Sequence, residues 1–287
     1  MTKTLAITTN VGCKNLCKYC PQEKFLEIYL KRSKIVMMSF NTFKKCIDKL
    51  PESVSTINFG GFSEPWLNPE CTKMLLYAHK KKFKINVFTT GIEMKIADID
   101  KIKHIEFVSF NVHLPNNNEF ANNTVSEENL SIINKIIKSN IYNILFKFHQ
   151  YSSDEEKLHP KIKPLMKKFN IICENTRLFS RVGSITFPNK PKFKKIQGKI
   201  LRCYRVDINI LFPNGDVILC CMDWEFKHIL GNLLETDYQD IINGNEFKKI
   251  IRGLNDDSIY SICRYCEITK KKGIISYFKD IINFLIN

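Results

Sequence analysis

The 287-residue chain is 44% hydrophobic and 25% charged, proportions of a globular protein with room for one large domain and a small appendix. Its formal charge of +15 comes from lysines scattered over helix-like segments in a chain rich in Ile and Asn, so it marks a compositional bias and no specific nucleic-acid surface. No basic n-region with a cleavage site is visible, and no apolar run reaches the roughly 18 residues of a transmembrane segment. Eleven cysteines in such a chain point to a reducing compartment, the cytoplasm, and to metal ligation rather than disulfides.

Taken in chain order, strand-like and helix-like runs alternate. LAITTN (5–10), STINFG (55–60), KINVFTT (84–90), EFVSFNVH (106–113), ILFKFH (144–149) and NIICENTRL (170–178) read as strands. Helical periodicity falls between them at 39–50, 68–82, 93–102, 126–139 and 154–169, the first with Ser39 as N-cap and Phe40, Phe43, Ile47 and Leu50 on one stripe. Six β–α steps predict a parallel sheet with right-handed crossovers. Six are too few for a closed eight-stranded barrel, so the expected fold is α/β, an open, partial (β/α)6 TIM-like barrel over 1–182. A parallel sheet buried on both faces reads apolar throughout, yet Ser109, Asn111 and His113 alternate with Val108, Phe110 and Val112, and Lys147 and His149 alternate with Phe146 and Phe148. One face is therefore expected to line a ligand cavity.

A Pro- and Lys-punctuated stretch, 183–200, reads as a linker. A hairpin with the turn Pro213-Asn214-Gly215 follows, then helices around 236–254, the segment ICRYC and a terminal helix within 273–287. This C-terminal part, 201–287, is expected to be a small subdomain of its own.

The sequence GCKNLCKYCPQ places Cys13, Cys17 and Cys20 directly after the first strand. Three thiols do not complete a structural zinc site, which takes four protein ligands, unless a fourth comes from afar. On a four-iron cubane, three thiolates leave one iron open to an external ligand. The C-x3-C-x2-C spacing, Tyr19 before the last cysteine and the position after a first strand resemble the radical S-adenosylmethionine (SAM) superfamily. That resemblance implies a 4Fe–4S cluster whose open iron binds SAM, reductive cleavage to a 5′-deoxyadenosyl radical, and hydrogen abstraction from substrate. It also implies cofactor contacts from NFGGFSEP, with Gly60, Gly61 and Glu64, although an inserted Phe-Ser departs from the usual GGEP form. Further contacts are implied at Thr90, with Thr89, at the end of the third strand, at Ser109 and Asn111 on the fourth, and at the backbone of Tyr19. Arg177 or Arg181, after the sixth strand, could anchor an anionic group of cofactor or substrate. No counterpart of the family's G-x-I-x-G-x-x-E element is found on the fifth strand. His113 and His149 read either as ligand contacts or as satisfied polar residues at strand ends.

A second thiol set runs from Cys203 through Gly215 to Cys220, then Cys263 and Cys266. Four protein thiols can close an iron–sulfur site, or a zinc site, completely. The order resembles the twitch subdomain, the short form of the SPASM extension, and implies one auxiliary 4Fe–4S cluster. Cys221 competes with Cys220 as ligand, because strand neighbours face opposite ways; the G-x4-C spacing favours Cys220. Cys46, Cys71 and Cys173 read as small buried hydrophobes.

A fully ligated auxiliary cluster suits electron transfer. The leading expectation is a radical oxidoreductase that dehydrogenates, or epimerises, a small polar substrate such as a sugar, nucleotide-sugar or cyclitol, served by an electron donor such as flavodoxin or ferredoxin. The layout resembles the aminocyclitol dehydrogenases. The alternatives are a peptide maturase, for which the first cysteine at residue 13 leaves little room for a preceding leader-binding domain, and a non-catalytic iron–sulfur carrier.

Overall fold

The computed structural model describes residues 3–15, 17–116, 125–150, 158–186 and 193–272, without the side chains of residues 150 and 177. Six parallel strands, β1 (Lys3–Ile7), β2 (Val54–Phe59), β3 (Lys84–Thr89), β4 (Ser109–His113), β5 (Ile144–Gln150) and β6 (Glu174–Arg177), lie side by side in chain order. The sheet does not stop at β1. β7 (Ile208–Leu211) adds in parallel to its free edge, pairing Thr4 with Ile208 and Ile7 with Leu211, and β8 (Asp216–Ile218) and β9 (Ile229–Asn232) continue antiparallel. The result is one open nine-stranded sheet in the order β6-β5-β4-β3-β2-β1-β7-β8-β9. The expected C-terminal hairpin forms, but as an extension of the barrel sheet.

Helices α1 (Gln22–Arg32), α2 (Phe40–Asp48), α3 (Cys71–Lys80), α4 (Ile96–Ile102), α5 (Glu127–Ile137) and α6 (Lys163–Lys168) fall between the barrel strands, and α7 (Tyr238–Ile242) and α8 (Asn245–Asn255) follow β9. Ser39 caps α2 as expected, accepting from the Thr42 backbone N–H at 3.0 Å. The main core packs strand residues Leu5, Ile57, Val87 and Phe110 against helix residues such as Phe43, Leu75 and Ile133.

Helix α1 was not expected from the pattern. Its N-cap, Pro21, makes no side-chain capping bond, and its buried residues are only Gln22, Phe25 and Tyr29 amid charged neighbours. What fixes it is a second core. Phe25 stacks on Phe62 (centroids 5.3 Å apart) and Phe226 (5.7 Å) and meets Trp224 edge-on at 5.6 Å. Aromatic pairs at such separations add to the burial of their area, and here they join the helix after the cysteine loop to the β7–β8–β9 extension.

The stretch 195–202 is bound into the C-terminal part. The Ile196 N–H donates to Arg264 O, Ile200 N–H to Leu254 O, and Leu201 N–H to Lys270 O, each at 2.9 Å. Of the helix expected over 154–169, residues 154–157 lie outside the described residues, 158–162 form a bridge and turns, and only Lys163–Lys168 is helical; the terminal helix expected within 273–287 lies outside the described residues. Among the described residues no helix is long and apolar enough to cross a membrane.

Candidate radical-cluster site and auxiliary site

Cys13, Cys17 and Cys20 sit in the loop between β1 and α1, close enough that Cys17 raises Cys13 and both of them raise Cys20. Burial pushes the Cys13 thiol up to about 11, opposed by the Asn15 and Glu64 backbone N–H groups that bond to it. Burial takes Cys20 to about 12, opposed by Gln22, whose Nε2 lies 3.4 Å from its sulfur and also donates to Phe62 O at 2.5 Å. Gln22 carries no sequence signal of this role; only the close approach of the 60–64 turn to the cysteine loop reveals it.

That turn is dense with constraint. Gly61 has φ +71°, and a Cβ there would press into the Thr8 hydroxyl and lie 3.1 Å from Thr8 Cα and N. A Cβ on Gly60 would lie 3.0 Å from Phe88 Cβ. Both glycines therefore have a packing reason to be glycine, independent of any ligand. Glu64 is 4% exposed, and burial pushes its carboxyl up to about 7. Four donors oppose that rise: the Thr89 hydroxyl, the Thr90 N–H at 2.7 Å, the Thr90 hydroxyl at 2.8 Å and the Trp66 N–H. Asn15 Nδ2 then donates to Thr90 Oγ1 at 3.1 Å. The Glu64 carboxylate thus braces the ends of β2 and β3, while its N–H faces Cys13.

A polar ladder crosses the sheet beside this corner. Asn86 Nδ2 donates to Asn58 Oδ1 (2.9 Å), Ser109 Oγ to Asn86 Oδ1 (2.7 Å), and Asn111 Nδ2 to both Ser109 Oγ (2.8 Å) and Val87 O (2.9 Å). The Ser109 hydroxyl has no proton left to donate outward. Asn58 and Asn86 carry no sequence signal of this role; they sit mid-strand, where only the parallel register aligns them with Ser109. Further along, His113 Nδ1 lies 3.0 Å from His149 Nε2, and the Tyr19 ring packs on His149 at 4.3 Å. Burial lowers His113 to about 4 and His149 to about 2, the latter opposed by the Thr176 backbone beside it, leaving both neutral.

Arg181 opens a turn in which it (φ +54°) and the β-branched Val182 (φ +58°) both take left-handed backbone, followed by Gly183. Its guanidinium lies 5.9 Å from the Trp224 ring centre and acts electrostatically on Cys20, Tyr19, His113 and His149, and its Nε is buried without a partner. Here it borders a cavity of about 290 Å³ shared with Phe193, Trp224, Tyr260 and Tyr265. Arg177 ends β6 and pairs in register with Gln150, but its side chain lies outside the described residues.

The second set gathers from three places. Cys203 precedes a short 3-10 turn, Cys220 follows β8, Cys263 lies within the 3-10 turn Ile262–Tyr265, and Cys266 ends that turn. Cys203 and Cys266 act on Cys263, Cys203 acts on Cys266, and Cys263 acts on Cys220. Burial drives Cys263 up to about 11 and Cys220 well above its ordinary range. Cys221 instead accepts from Arg205 Nη1 at 2.9 Å. Fully buried His228 ties this corner together: Nδ1 faces Glu246 Oε1 at 2.6 Å, and Nε2 accepts the Ile262 N–H at 3.1 Å. The tautomer follows, with the ring proton on Nδ1.

Among the described residues no three His, Cys, Asp or Glu side chains sit at the separations of a single metal ion. Thiols gathered in two sets are the donor type of an iron–sulfur cubane, whose ligands stand on separate irons. Thiols raised by burial are protonated when free, so loading either site would release protons.

Residues 197–267 match SPASM, an iron–sulfur cluster-binding domain. The fold is similar to BtrN in complex with AdoMet and 2-DOIA, at 14% identity and a TM-score of 0.62, covering 93% of each chain. It is also similar to Streptococcus suis SuiB bound to its precursor peptide SuiA (13%, TM-score 0.65, 93% of this chain and 70% of that one). A third similar structure is anSMEcpe with AdoMet and the Cp18Cys peptide (11%, TM-score 0.58, 92% and 86%). The chain shares the fold of these structures, and its residues 197–267 carry the SPASM match. No curated protein matches it by sequence. Cys203, Cys220, Cys263 and Cys266 all fall inside the SPASM match, and Cys13, Cys17 and Cys20 lie in the barrel part.

Proposed function

We propose that this radical SAM, SPASM-domain chain is a radical oxidoreductase that dehydrogenates a small polar substrate of sugar, nucleotide-sugar or cyclitol type. Cys13, Cys17 and Cys20 would hold the first 4Fe–4S cluster, and Cys203, Cys220, Cys263 and Cys266 the auxiliary one. S-Adenosylmethionine would lie against Gly60–Gly61, Thr90, Asn111 and the Tyr19 backbone, with Glu64 shaping the turn and Ser109 holding Asn111. The observation that carries the reading is the thiol loop set beside a polar strand face, with a second thiol group gathered across the same sheet.

Oxidation of a carbinol carbon to a carbonyl releases one hydrogen atom, one proton and one electron. When bound, the clusters and S-adenosylmethionine supply the radical that takes the hydrogen atom and the acceptor that takes the electron. The proton falls to the chain. The buried neutral imidazoles of His113 and His149, whose Nδ1 and Nε2 stand 3.0 Å apart, would take it up. Arg181, half-buried beside the cavity, would hold an anionic group of the substrate. Flavodoxin or ferredoxin would deliver the first electron near exposed Lys18, a cytoplasmic arrangement.

A second reading, modification of a peptide, is supported by the fold's similarity to two structures that hold peptides. Anaerobically reconstituted protein with dithionite should form 5′-deoxyadenosine and methionine; a protein that cleaves no cofactor under any reductant is a carrier. With deuterated cyclitols and sugars, label should enter 5′-deoxyadenosine and the product should be two electrons more oxidised. A product at the substrate's oxidation level indicates epimerisation, and label transfer from peptides alone indicates the second reading.

A further inference from the structure

Arg264 stands between Cys263 and Cys266 and is fully buried. Its Nη1 donates to Ile196 O at 2.9 Å and Gly198 O at 2.7 Å, while Nε and Nη2 are buried with no partner. Among the described residues no carboxylate forms an ion pair with it; Asp256, which feels its charge, is exposed and bonds to Ser258. A buried guanidinium with idle N–H groups and no counter-anion is strongly unfavourable. A second arginine flanks the same thiols. Arg205 is half-buried, stacks 5.5 Å from the Phe179 and Tyr204 ring centres, bonds to Cys221 and acts on Cys266.

We infer that Arg264 and Arg205 are the counter-cations of the iron–sulfur cluster at Cys203, Cys220, Cys263 and Cys266, and that they raise its reduction potential. This rests on the reading of those four thiols as its ligands. Four thiolates on an oxidised cubane leave a net negative charge, and each added electron increases it. A fixed cation nearby therefore stabilises the reduced form more than the oxidised one. Arg264 keeps its positive charge at all working pH values, and its burial limits screening by solvent.

The test is an EPR-monitored redox titration of the fully reconstituted chain, with dithionite and mediators, alongside iron analysis. Arg264→Met should keep about eight irons per chain and shift the auxiliary reduction equilibrium about tenfold toward the oxidised form, ~59 mV for one electron. Arg264→Lys, which keeps the charge and loses the fork, should stay nearer the parent. Arg205→Gln is closer to the surface and should lower the potential independently, so it decides the matter if Arg264→Met does not fold. A role confined to pinning residues 196–198 would lower thermal stability in both Arg264 variants and leave the potential unmoved, and that result overturns the inference. Parent protein with only about four irons and one cluster signal would instead overturn the ligand reading itself.

Discussion

Replacing Gly61 by alanine tests how the cysteine corner is built. The new Cβ would press on the Thr8 hydroxyl and come within 3.1 Å of Thr8 Cα and N. Thr8 cannot yield easily. It is fully buried, its N–H donates to Leu211 O at 2.9 Å, and its hydroxyl accepts the Phe62 N–H at 3.3 Å. Holding alanine at φ +71° adds about 1–2 kcal/mol of backbone strain. Forcing a methyl into a packed site adds about 1–3 kcal/mol. The sum, about 3 kcal/mol, corresponds to a fall in melting temperature of roughly 6–12 °C for a chain of this size. Phe62 moves with the turn, loosening its contact with Trp224 (4.1 Å), and the Glu64 N–H withdraws from Cys13. Circular-dichroism melting of reduced, metal-free protein reads the first effect, and iron content after reconstitution reads the second. Thr8→Ala in the same chain should recover part of the loss, since it removes the hydroxyl clash but not the backbone contacts. A melting temperature within about 1 °C of the parent would refute the account of the turn.

Alanine at Cys13, Cys17 or Cys20 should remove about four irons per chain and all 5′-deoxyadenosine formation, while the auxiliary spectrum persists. His113 and His149 have folded pKa values lowered by burial from 6.5 to about 4 and about 2. The unfolded chain then binds more protons below pH 6.5, so their stabilisation is complete above that value and lost as pH falls. At pH 5 the loss approaches roughly 2 kcal/mol per histidine, and denaturant titrations of the double Gln variant should show a correspondingly flatter acid limb. Glu64, raised from 4.5 to about 7, acts in the opposite sense, costing stability as pH rises between those values, and Glu64→Gln should remove that slope. His228→Phe should leave the buried Ile262 N–H unpaired and Glu246 with Lys249 alone, destabilise the fold by about 1–3 kcal/mol and release auxiliary iron first; iron lost equally from both sites would count against the pinning role.

Local pattern was enough for the alternation of strands and helices, because apolar periodicity is a local property, and for the polar face of β4 and β5. The thiol spacing within residues 13–20 was legible for the same reason: one loop holds all three. What the sequence did not disclose arises where separate segments meet. The packing of α1 depends on Phe62 from the 60–64 turn and on Phe212, just after β7 and 5.9 Å from Phe25, with Trp224 and Phe226, which approach only after β7 pairs with β1. Asn58 and Asn86 acquire meaning only through the parallel register, and Gln22 and Thr8 only through the return of the 60–64 turn to the end of β1. The idle N–H groups of buried Arg264 and the fixed tautomer of His228 likewise follow from burial and hydrogen-bond partners, which are set by tertiary packing over long sequence separations and leave no periodic trace in the chain.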